Sequence, residues 1–293
     1  MDFLQPRSLA DAIAAKAEFP GALPIAGGTD VMVEINFGTR RPEALLDLNR
    51  VPELTSWQLR DGLVRLGAGV TYTRLITELG GLLPGLAMAA RTVGSPQIRN
   101  RGTVGGNLGA ASPAGDCHPV LLAAGASVEA TSVRGSRMIP AAEFFTGPKR
   151  NELVADELIT SVLVPAAAGP QQFAKIGTRN AMVIAVCAFA LELRPPAVGT
   201  GIGSAGPTPL RAPAAEEFLA GALAESGLWE SPAGLPAQVA QRFGELVAAA
   251  ARPIDDVRGT AAYRRHALSV LARRTLGWAW DSYRAGDGVA RCG

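Results

Sequence analysis

The sequence is poor in the residues that build metal centres and disulfide frameworks. Its 293 residues include only 3 cysteines and 2 histidines. The cysteines, at Cys117, Cys187 and Cys292, are widely spaced and form no Cys-X-X-Cys pair. Disulfide-stapled domains and structural zinc sites need such residues in clusters. We therefore expect no metal ion bound by this chain itself, and a reducing, cytoplasmic location.

Charge of one sign and long apolar runs are lacking as well. The formal net charge is +2, from 28 basic and 26 acidic residues, so nothing indicates a nucleic-acid partner. No apolar run reaches the roughly 18–20 residues needed to span a membrane. The N-terminus, MDFLQPRSLADAI, has an early acid and no basic segment before an apolar one, unlike a signal peptide. With 48% hydrophobic residues the chain is typical of a globular protein, long enough for about two domains.

Glycine is abundant, and its densest stretch covers residues 92–122, TVGSPQIRNRGTVGGNLGAASPAGDCHPVLL. No apolar period of 2 or 3.6 residues runs through it, so it predicts neither an ordinary helix nor an ordinary strand. Glycine permits positive φ and lets a ligand approach the backbone closely, and successive backbone N–H groups can form an anion site. We predict a loop that binds a phosphate, a ribityl chain or a ribose. A plain glycine-rich surface loop is the alternative.

A second glycine turn lies near the N-terminus. Leu23-Pro24-Ile25-Ala26 predicts a short buried strand, Gly27-Gly28-Thr29-Asp30 follows it, and residues 31–37 predict a helix. A strand, a Gly-Gly turn and a helix start form a plausible phosphate cradle. A plain strand–helix turn explains the same pattern equally well.

The rest of the pattern predicts mixed α and β structure. Ser8 and Asp11 predict a capped helix, and Asp61-Gly62 and Arg134-Gly135 each predict a hairpin. A small-residue linker at 166–170 separates this part from strands over 173–176 and 183–193. Helices are predicted at 214–224, 235–251 and 261–285, the last one broken near Gly277. That helix bears Arg264, Arg265, Arg273 and Arg274, which predict a solvated face or a docking surface.

One motif matches a known nucleotide-binding pattern but lacks the context that the pattern needs. Gly201-Ile202-Gly203-Ser204-Ala205-Gly206 matches the GxGxxG dinucleotide fingerprint, which also needs a helix opening at its third glycine and an acid about 20 residues later. Pro207 and Pro209 follow at once, and Glu216 comes too early. We predict a glycine-rich turn between strands instead.

Taken together, several segments resemble one known family. They are Ala26-Gly27-Gly28-Thr29-Asp30, then IRNRGTVGGNLGAASPAGD at 98–116, then Lys175, with DDVR at 255–258 and AYRR at 262–265 near the C-terminus. They resemble the FAD-binding medium subunits of the molybdenum hydroxylases, such as xanthine dehydrogenase and carbon monoxide dehydrogenase. The resemblance covers nearly the whole chain.

The resemblance implies an α+β fold. A two-subdomain FAD-binding domain, of the type shared by vanillyl-alcohol oxidase and the carbon monoxide dehydrogenase flavoprotein, would precede a smaller α+β domain with an antiparallel sheet and helices. We expect the first domain at residues 1–168, with subdomains at about 1–54 and 55–168. The second is expected at 171–286.

The resemblance also implies non-covalent FAD between the subdomains. The first glycine turn would wrap the pyrophosphate with its backbone, and the second would contact the phosphates and the ribityl chain. Asp116 would bond a cofactor hydroxyl, while Ile159 and Lys175 would lie near the flavin or the adenine end. The implied set is Ile25, Ala26, Gly27, Gly28, Thr29, Asp30, Val31, Thr103, Val104, Gly105, Gly106, Asn107, Ser112, Gly115, Asp116, Ile159 and Lys175. No catalytic residue and no metal ligand is implied for this chain.

The implied activity is electron transfer within an oxidoreductase complex. Electrons would come from a molybdenum cofactor on a large partner subunit, pass through [2Fe–2S] clusters on a small one, and leave this FAD for NAD⁺ or another acceptor. Each chain would be present twice. Two alternatives stay open: a self-sufficient FAD-dependent oxidase of the vanillyl-alcohol oxidase type, and a nucleotide-binding scaffold without redox chemistry. The substrate is not encoded in this chain.

Overall fold

The computed structural model describes residues 1–231 and 233–286, so Cys292 lies outside the described residues. The strands are β1 (Asp2–Leu4), β2 (Leu23–Ile25), β3 (Ala44–Asp47), β4 (Trp57–Arg60), β5 (Leu63–Gly67), β6 (Ser127–Ser132), β7 (Gly135–Pro140), β8 (Phe145–Gly147), β9 (Arg150–Asn151), β10 (Leu158–Pro165), β11 (Gln171–Ile176), β12 (Cys187–Arg194) and β13 (Ala197–Gly203). The helices are α1 (Leu9–Glu18), α2 (Val31–Asn36), α3 (Tyr72–Glu78), α4 (Pro84–Arg91), α5 (Pro96–Arg99), α6 (Val104–Ala110), α7 (His118–Ala123), α8 (Ala141–Phe144), α9 (Pro213–Glu225), α10 (Ala237–Ala250) and α11 (Ala261–Ala285), with a 3₁₀ turn at Pro52–Thr55.

The first sheet is small and parallel, with strand order β1-β3-β2. Helix α1 packs on it, and the predicted cap forms, since the Ser8 hydroxyl accepts a hydrogen bond from the Asp11 backbone N–H at 3.1 Å. Ala12, Leu46 and Leu54 build the local core. This unit supplies one wall of the site described below.

The second sheet is antiparallel, with order β4-β5-β10-β6-β7. Both predicted hairpins are confirmed, because β4 pairs with β5 around Asp61-Gly62 and β6 pairs with β7 around Arg134-Gly135. Asp61 and Gly62 have φ of 51° and 73°, the left-handed conformation that a tight hairpin requires. Helices α3, α4, α6 and α7 share the core of this sheet.

The third sheet, order β11-β12-β13, is antiparallel and packs against α9, α10 and α11. Phe189, Phe243 and Trp280 are among the fully buried side chains of its core. The fold is therefore α+β, with an antiparallel sheet plus helices at its C-terminal end, as predicted. The domain limits at 168 and 171 stay a prediction. The two parts are in contact across that boundary, where the backbone N–H of Gly85 in α4 donates to Gln171 Oε1 at 3.0 Å.

Two predictions for α11 need correction, namely the break near Gly277 and the exposure of Arg264. The helix continues through Gly277, and no atom lies within 4 Å of a Cβ added there. A glycine inside a helix costs only about 1 kcal/mol, which the packing of the helix can offset. Arg264 is buried and donates to the Ser204 carbonyl and to Asp256 at 2.6 Å, so it stabilises the fold instead of a docking face. Arg265, Arg273 and Arg274 are exposed.

The prediction of a turn at the GxGxxG segment is wrong for its first half only. Residues 201–203 belong to strand β13, whereas residues 204–206 lie in the bend between β13 and Leu210, which pairs with Ile202. A Cβ added at Gly199 would lie 2.0 Å from the Ala123 carbonyl oxygen, and one at Gly201 would lie 1.8 Å from that of Pro119. The glycines therefore let β13 pack directly on the backbone of α7. A dinucleotide fingerprint needs a helix that opens at its third glycine, which is Gly206 here. The next described helix, α9, begins only at Pro213.

Candidate functional site

A cleft of about 820 Å³ lies between the first and second sheets. Its volume is within the range of roughly 300–1,000 Å³ that is usual for cofactor sites. Of the residues predicted from the sequence, those that line it are Ala26, Gly27, Gly28, Thr29, Asp30, Val31, Thr103, Gly105, Gly106, Asn107 and Ile159. Those outside its lining are Ile25, Val104, Ser112, Gly115, Asp116 and Lys175. Both glycine turns thus meet at one cleft.

The first glycine turn presents its backbone to this cleft. The backbone N–H groups of Gly27, Gly28, Thr29 and Asp30 donate no hydrogen bond to any described residue. Gly28 has a φ of 72°, and the Asn49 side chain holds the turn by donating to the Ala26 carbonyl at 2.8 Å. A series of free N–H groups in such a turn forms an anion-binding nest.

The two turns contact each other through backbone atoms. A Cβ added at Gly27 would lie 2.0 Å from the Arg101 carbonyl oxygen and 2.9 Å from the Gly102 nitrogen. Glycine is therefore required at position 27 by the approach of the second turn. This contact fixes the distance between the two sides of the cleft.

The second turn is not the irregular loop that we predicted. Residues 104–110 form helix α6, and its N-cap Thr103 accepts a hydrogen bond from the Gly106 N–H at 2.9 Å. Within the stretch, positive φ occurs at Gly94 and Ala111 and not at Gly105 or Gly106. The helix spans two turns, too short for an apolar period to reveal it.

The two central glycines of α6 have different roles. A Cβ at Gly105 would lie 2.5 Å from the Ala68 carbonyl oxygen, so this glycine is needed for packing. Gly106 is exposed to the cleft, and a Cβ there would approach only Thr103 Oγ1, at 3.1 Å. Next to it, Asn107 Oδ1 is buried and lacks a partner among the described atoms. Such an orphaned acceptor fits a ligand with hydroxyl or N–H donors.

Asp116 and Lys175 form a buried ion pair at the edge of the C-terminal sheet. Their side chains are 9% and 10% exposed, and Lys175 Nζ lies 2.7 Å from Asp116 Oδ2. Nζ also donates to the carbonyls of Thr92 at 3.1 Å and Val183 at 3.2 Å, so protein acceptors take all three ammonium hydrogens. Burial raises the pKa of Asp116, and the Lys175 charge opposes that shift.

Contacts of Asp116 and Lys175 with a cofactor stay predictions. Asp116 retains one suitable atom, since its Oδ1 is buried without a hydrogen-bond partner in the described part of the chain. Lys175 has no hydrogen left to donate in this arrangement. The structure therefore fits a role for Lys175 in orienting Asp116.

Cations that the sequence did not single out also line the cleft. They are Lys16, Arg40, Arg41, Lys149 and Arg150. Glu34 joins the two walls, because its carboxylate lies 2.5 Å from Lys149 Nζ and 3.3 Å from Arg40 Nη1, and these bonds lower its pKa. Lys16 was recognisable in principle, since it follows Ala12 by four residues and so lies on the same, buried face of α1.

His118 braces helix α6 from below. Its side chain is fully buried, Nε2 lies 3.1 Å from the Asn107 carbonyl, and its ring centroid lies 4.5 Å from that of Phe145. A Cβ at Gly115 would lie 2.3 Å from its Cε1, which explains the glycine there. Burial lowers the pKa of His118 to about 4. The ring is therefore neutral at pH 7 and donates to Asn107 as an N–H group.

Stability is expected to fall as the pH drops from 6.5 to 4. The unfolded imidazole binds a proton near pH 6.5, whereas the folded one binds it only near 4. The neutral His118 ring therefore makes its full contribution to the free energy of unfolding above pH 6.5, and about 3 kcal/mol of that contribution is lost by pH 4. Urea unfolding of the wild type and His118→Gln at both pH values measures the effect. The variant, whose amide can still donate to Asn107, should lose less; an equal loss would assign the effect to other groups.

Two known families match different parts of this chain. Residues 1–167 match the family described as the FAD binding domain in molybdopterin dehydrogenase. Residues 172–279 match the carbon monoxide dehydrogenase flavoprotein C-terminal domain. Within the described residues, no helix is long and apolar enough to cross a membrane. In the same residues, no group of three or more His, Cys, Asp or Glu side chains is placed to bind a metal ion.

Individual known proteins are similar to this chain over nearly its full length. The chain is 33% identical to the nicotine 6-hydroxylase medium subunit of Paenarthrobacter nicotinovorans over 94% of its length and 95% of the relative's. It is 31% identical to a putative xanthine dehydrogenase FAD-binding subunit of Escherichia coli, over 92% of each chain. A chain in the structure of carbon monoxide dehydrogenase from Hydrogenophaga pseudoflava superimposes with a TM-score of 0.83, at 28% identity, over 96% of this chain and 97% of that one.

Proposed function

Because this chain belongs to the family of FAD-binding medium subunits of the molybdenum hydroxylases, we propose that it is the flavoprotein of an oxidoreductase complex. It would bind FAD non-covalently and dock on an iron–sulfur subunit and a molybdenum-cofactor subunit. Electrons would reach its FAD from the iron–sulfur clusters and leave for NAD⁺ or another acceptor. We further propose that each of the three chains is present twice.

The observation that carries this proposal is the series of free backbone N–H groups from Gly27 to Asp30 at the cleft wall. They would hold the pyrophosphate, and the orphaned Asn107 Oδ1 on the opposite wall would accept from a hydroxyl or an N–H of the cofactor. When bound, FAD supplies the redox chemistry. The residues of this chain bind it, orient it and exclude water from it.

The remaining site assignments belong to the same proposal. Ile25 and Val104 lie behind the two turns and support their backbones, while Ile159 contributes an apolar surface to the cleft. Ser112 and Gly115 shape the segment that ends at Asp116. Asp116 would bond the cofactor through its free Oδ1, in an orientation set by Lys175.

Substrate should reduce the flavin only within the complex. The test compares the isolated, FAD-loaded chain with the co-expressed three-chain complex under anaerobic conditions. Candidate purines, aldehydes, N-heterocycles and carbon monoxide are mixed with each, and the flavin absorbance near 450 nm is followed. We expect bleaching by one substrate in the complex and none in the isolated chain, because the oxidising centre would be on another subunit.

Bleaching of the isolated chain by any of these compounds would contradict the proposal. It would instead identify a self-sufficient oxidase of the vanillyl-alcohol oxidase type. A complex that assembles but whose flavin stays oxidised with every substrate, although dithionite bleaches it, would also count against an electron-transfer role. The dithionite control shows that the flavin can be reduced.

A further inference from the structure

Lys16 is a buried cation on the wall of the cofactor cleft. It is 6% exposed, and its Nζ donates to the backbone carbonyls of Pro20 at 2.6 Å and Ala22 at 2.7 Å. Lys16, Pro20 and Ala22 all line the cleft. The ammonium thus has two protein acceptors at a position where a ligand can also reach it.

The charge of Lys16 is incompletely satisfied. A lysine ammonium has three hydrogens to donate, and the described residues provide acceptors for two. No carboxylate of the described chain lies within 4.0 Å of Nζ. Burial lowers the pKa of Lys16, and only the more distant Asp156 opposes that shift. A buried cation in this state is stabilised by an additional acceptor, and the cleft is the open side from which one can come.

The cleft has two ends, separated by the contact of the glycine turns. From Gly27, strand β2 leads back to Ala22, whose carbonyl accepts from Lys16, and residues 153–155 and 157–159 also line the cleft. On the other side, a Cβ at Gly102 would lie 2.9 Å from Tyr72 Cε2, and Tyr72, Val93 and Ile98 line the cleft beyond it. A dinucleotide with its pyrophosphate at the turns would extend one half towards each end.

The flavin half would lie at the Val93 end. Val93 follows Thr92, whose carbonyl accepts from Lys175, and Lys175 also bonds Val183 of the C-terminal part. Beside Val183, Met182 and Ile184 are 56% and 53% exposed, an apolar surface that a partner chain can cover. A flavin that exchanges electrons with a partner has to lie near such a surface. The Lys16 end, against the core of the first sheet, remains for adenosine.

We propose that Lys16 donates its third hydrogen to an acceptor atom of the adenosine half of FAD, a ring nitrogen or a ribose oxygen. The chain thereby selects FAD over FMN, which has no adenosine. This inference rests on the proposed function, since the electron-transfer role determines which end receives the flavin ring. A lysine that only holds the Pro20–Ala22 segment in place would not affect this selectivity.

The experiment compares Lys16→Met with the wild type after removal of flavin. Each apoprotein is titrated with FAD and with FMN, and flavin fluorescence gives the two affinities. We expect FAD affinity to fall by about 10- to 100-fold, the range for a hydrogen bond from a charged group, and FMN affinity to stay unchanged. The absorption spectrum of bound FAD should also stay unchanged, because the flavin ring is at the other end.

The matched control is Arg41→Met, which removes an exposed cation of the cleft rim that makes no ion pair among the described residues. Its FAD-to-FMN affinity ratio should equal that of the wild type. An equal fall in the ratio for both variants would trace to the charge of the cleft and overturn the proposal. So would a parallel loss of FAD and FMN affinity in Lys16→Met, a shifted flavin spectrum, or an unchanged ratio.

The wild-type chain provides a second measurement that does not depend on the folding of a variant. FAD analogues that lack one adenine nitrogen or one adenosine ribose hydroxyl are titrated into the apoprotein. At least one should bind about tenfold more weakly than FAD; equal binding of all of them would overturn the proposal. A wild-type chain that binds neither FAD nor FMN would overturn the proposed function as well, whereas FAD binding without any effect of Lys16 would overturn this inference alone.

Discussion

Gly106→Val is expected to abolish FAD binding while the protein stays folded. Gly106 is the exposed residue of the first turn of α6 and has no positive φ, so its backbone conformation suits an L-residue. A Cβ there would approach only Thr103 Oγ1, at 3.1 Å, which a small shift of the hydroxyl relieves. The valine methyl groups would then occupy cleft space that the cofactor needs. Flavin titration of the apoprotein should show at least about a 100-fold weaker affinity, equivalent to about 2.8 kcal/mol.

The control is the same substitution in a helix away from the cleft. Gly221 lies in α9, and no atom lies within 4 Å of its hypothetical Cβ. Gly221→Val should keep the wild-type affinity for FAD. Circular dichroism should show both variants folded. Wild-type flavin occupancy in Gly106→Val would mean that α6 does not contact the cofactor.

Gly201→Ala is expected to destabilise the whole protein strongly. The added Cβ would lie 1.8 Å from the Pro119 carbonyl oxygen and 2.7 Å from its Cα, which are backbone atoms of α7 with no room to move. Overpacking of a core costs about 1–3 kcal/mol, and a clash between two backbones should cost about 3 kcal/mol or more. Thermal unfolding should show a midpoint lower by roughly 6–12 °C for a chain of this size.

Gly203→Ala should destabilise the protein less than Gly201→Ala. Its Cβ would meet the Pro119 ring carbon Cγ at 2.8 Å, an atom that can yield, so the loss of stability should be smaller. In both variants the folded fraction should keep its FAD and should react with pyridine nucleotides to the same extent as the wild type. A selective loss of NADH affinity at unchanged stability would instead mean that the GxGxxG segment binds a nucleotide.

Local patterns made much of the fold predictable. The Ser8 cap, the Asp61-Gly62 hairpin and the strand before Gly27 each depend on a few neighbouring residues, and the structure confirms all three. The first glycine turn was recognisable for the same reason. The family resemblance then connected segments that no local rule relates.

Predictions that depend on distant contacts failed. Gly105 and Gly201 are glycine because Ala68 and Pro119 approach them from elsewhere in the chain, so neither needs the turn we had predicted. Arg264 is buried because Ser204 and Asp256 come together around it. The partners of Lys16 are two carbonyls in the segment after α1, and a helical pattern alone gives no indication of them.

The packing of β13 on α7 also limits which segments can be recombined between homologous proteins. Phe173 and Ala188 of the C-terminal sheet share a core with α4 and α7, and Gly199 and Gly201 fit the backbone of α7. Recombination within the linker at 166–170 would therefore pair a helix from one parent with a strand fitted to the other. Chimeras should fold only when both surfaces come from the same lineage. These two segments should consequently evolve together, although neither touches the cofactor cleft.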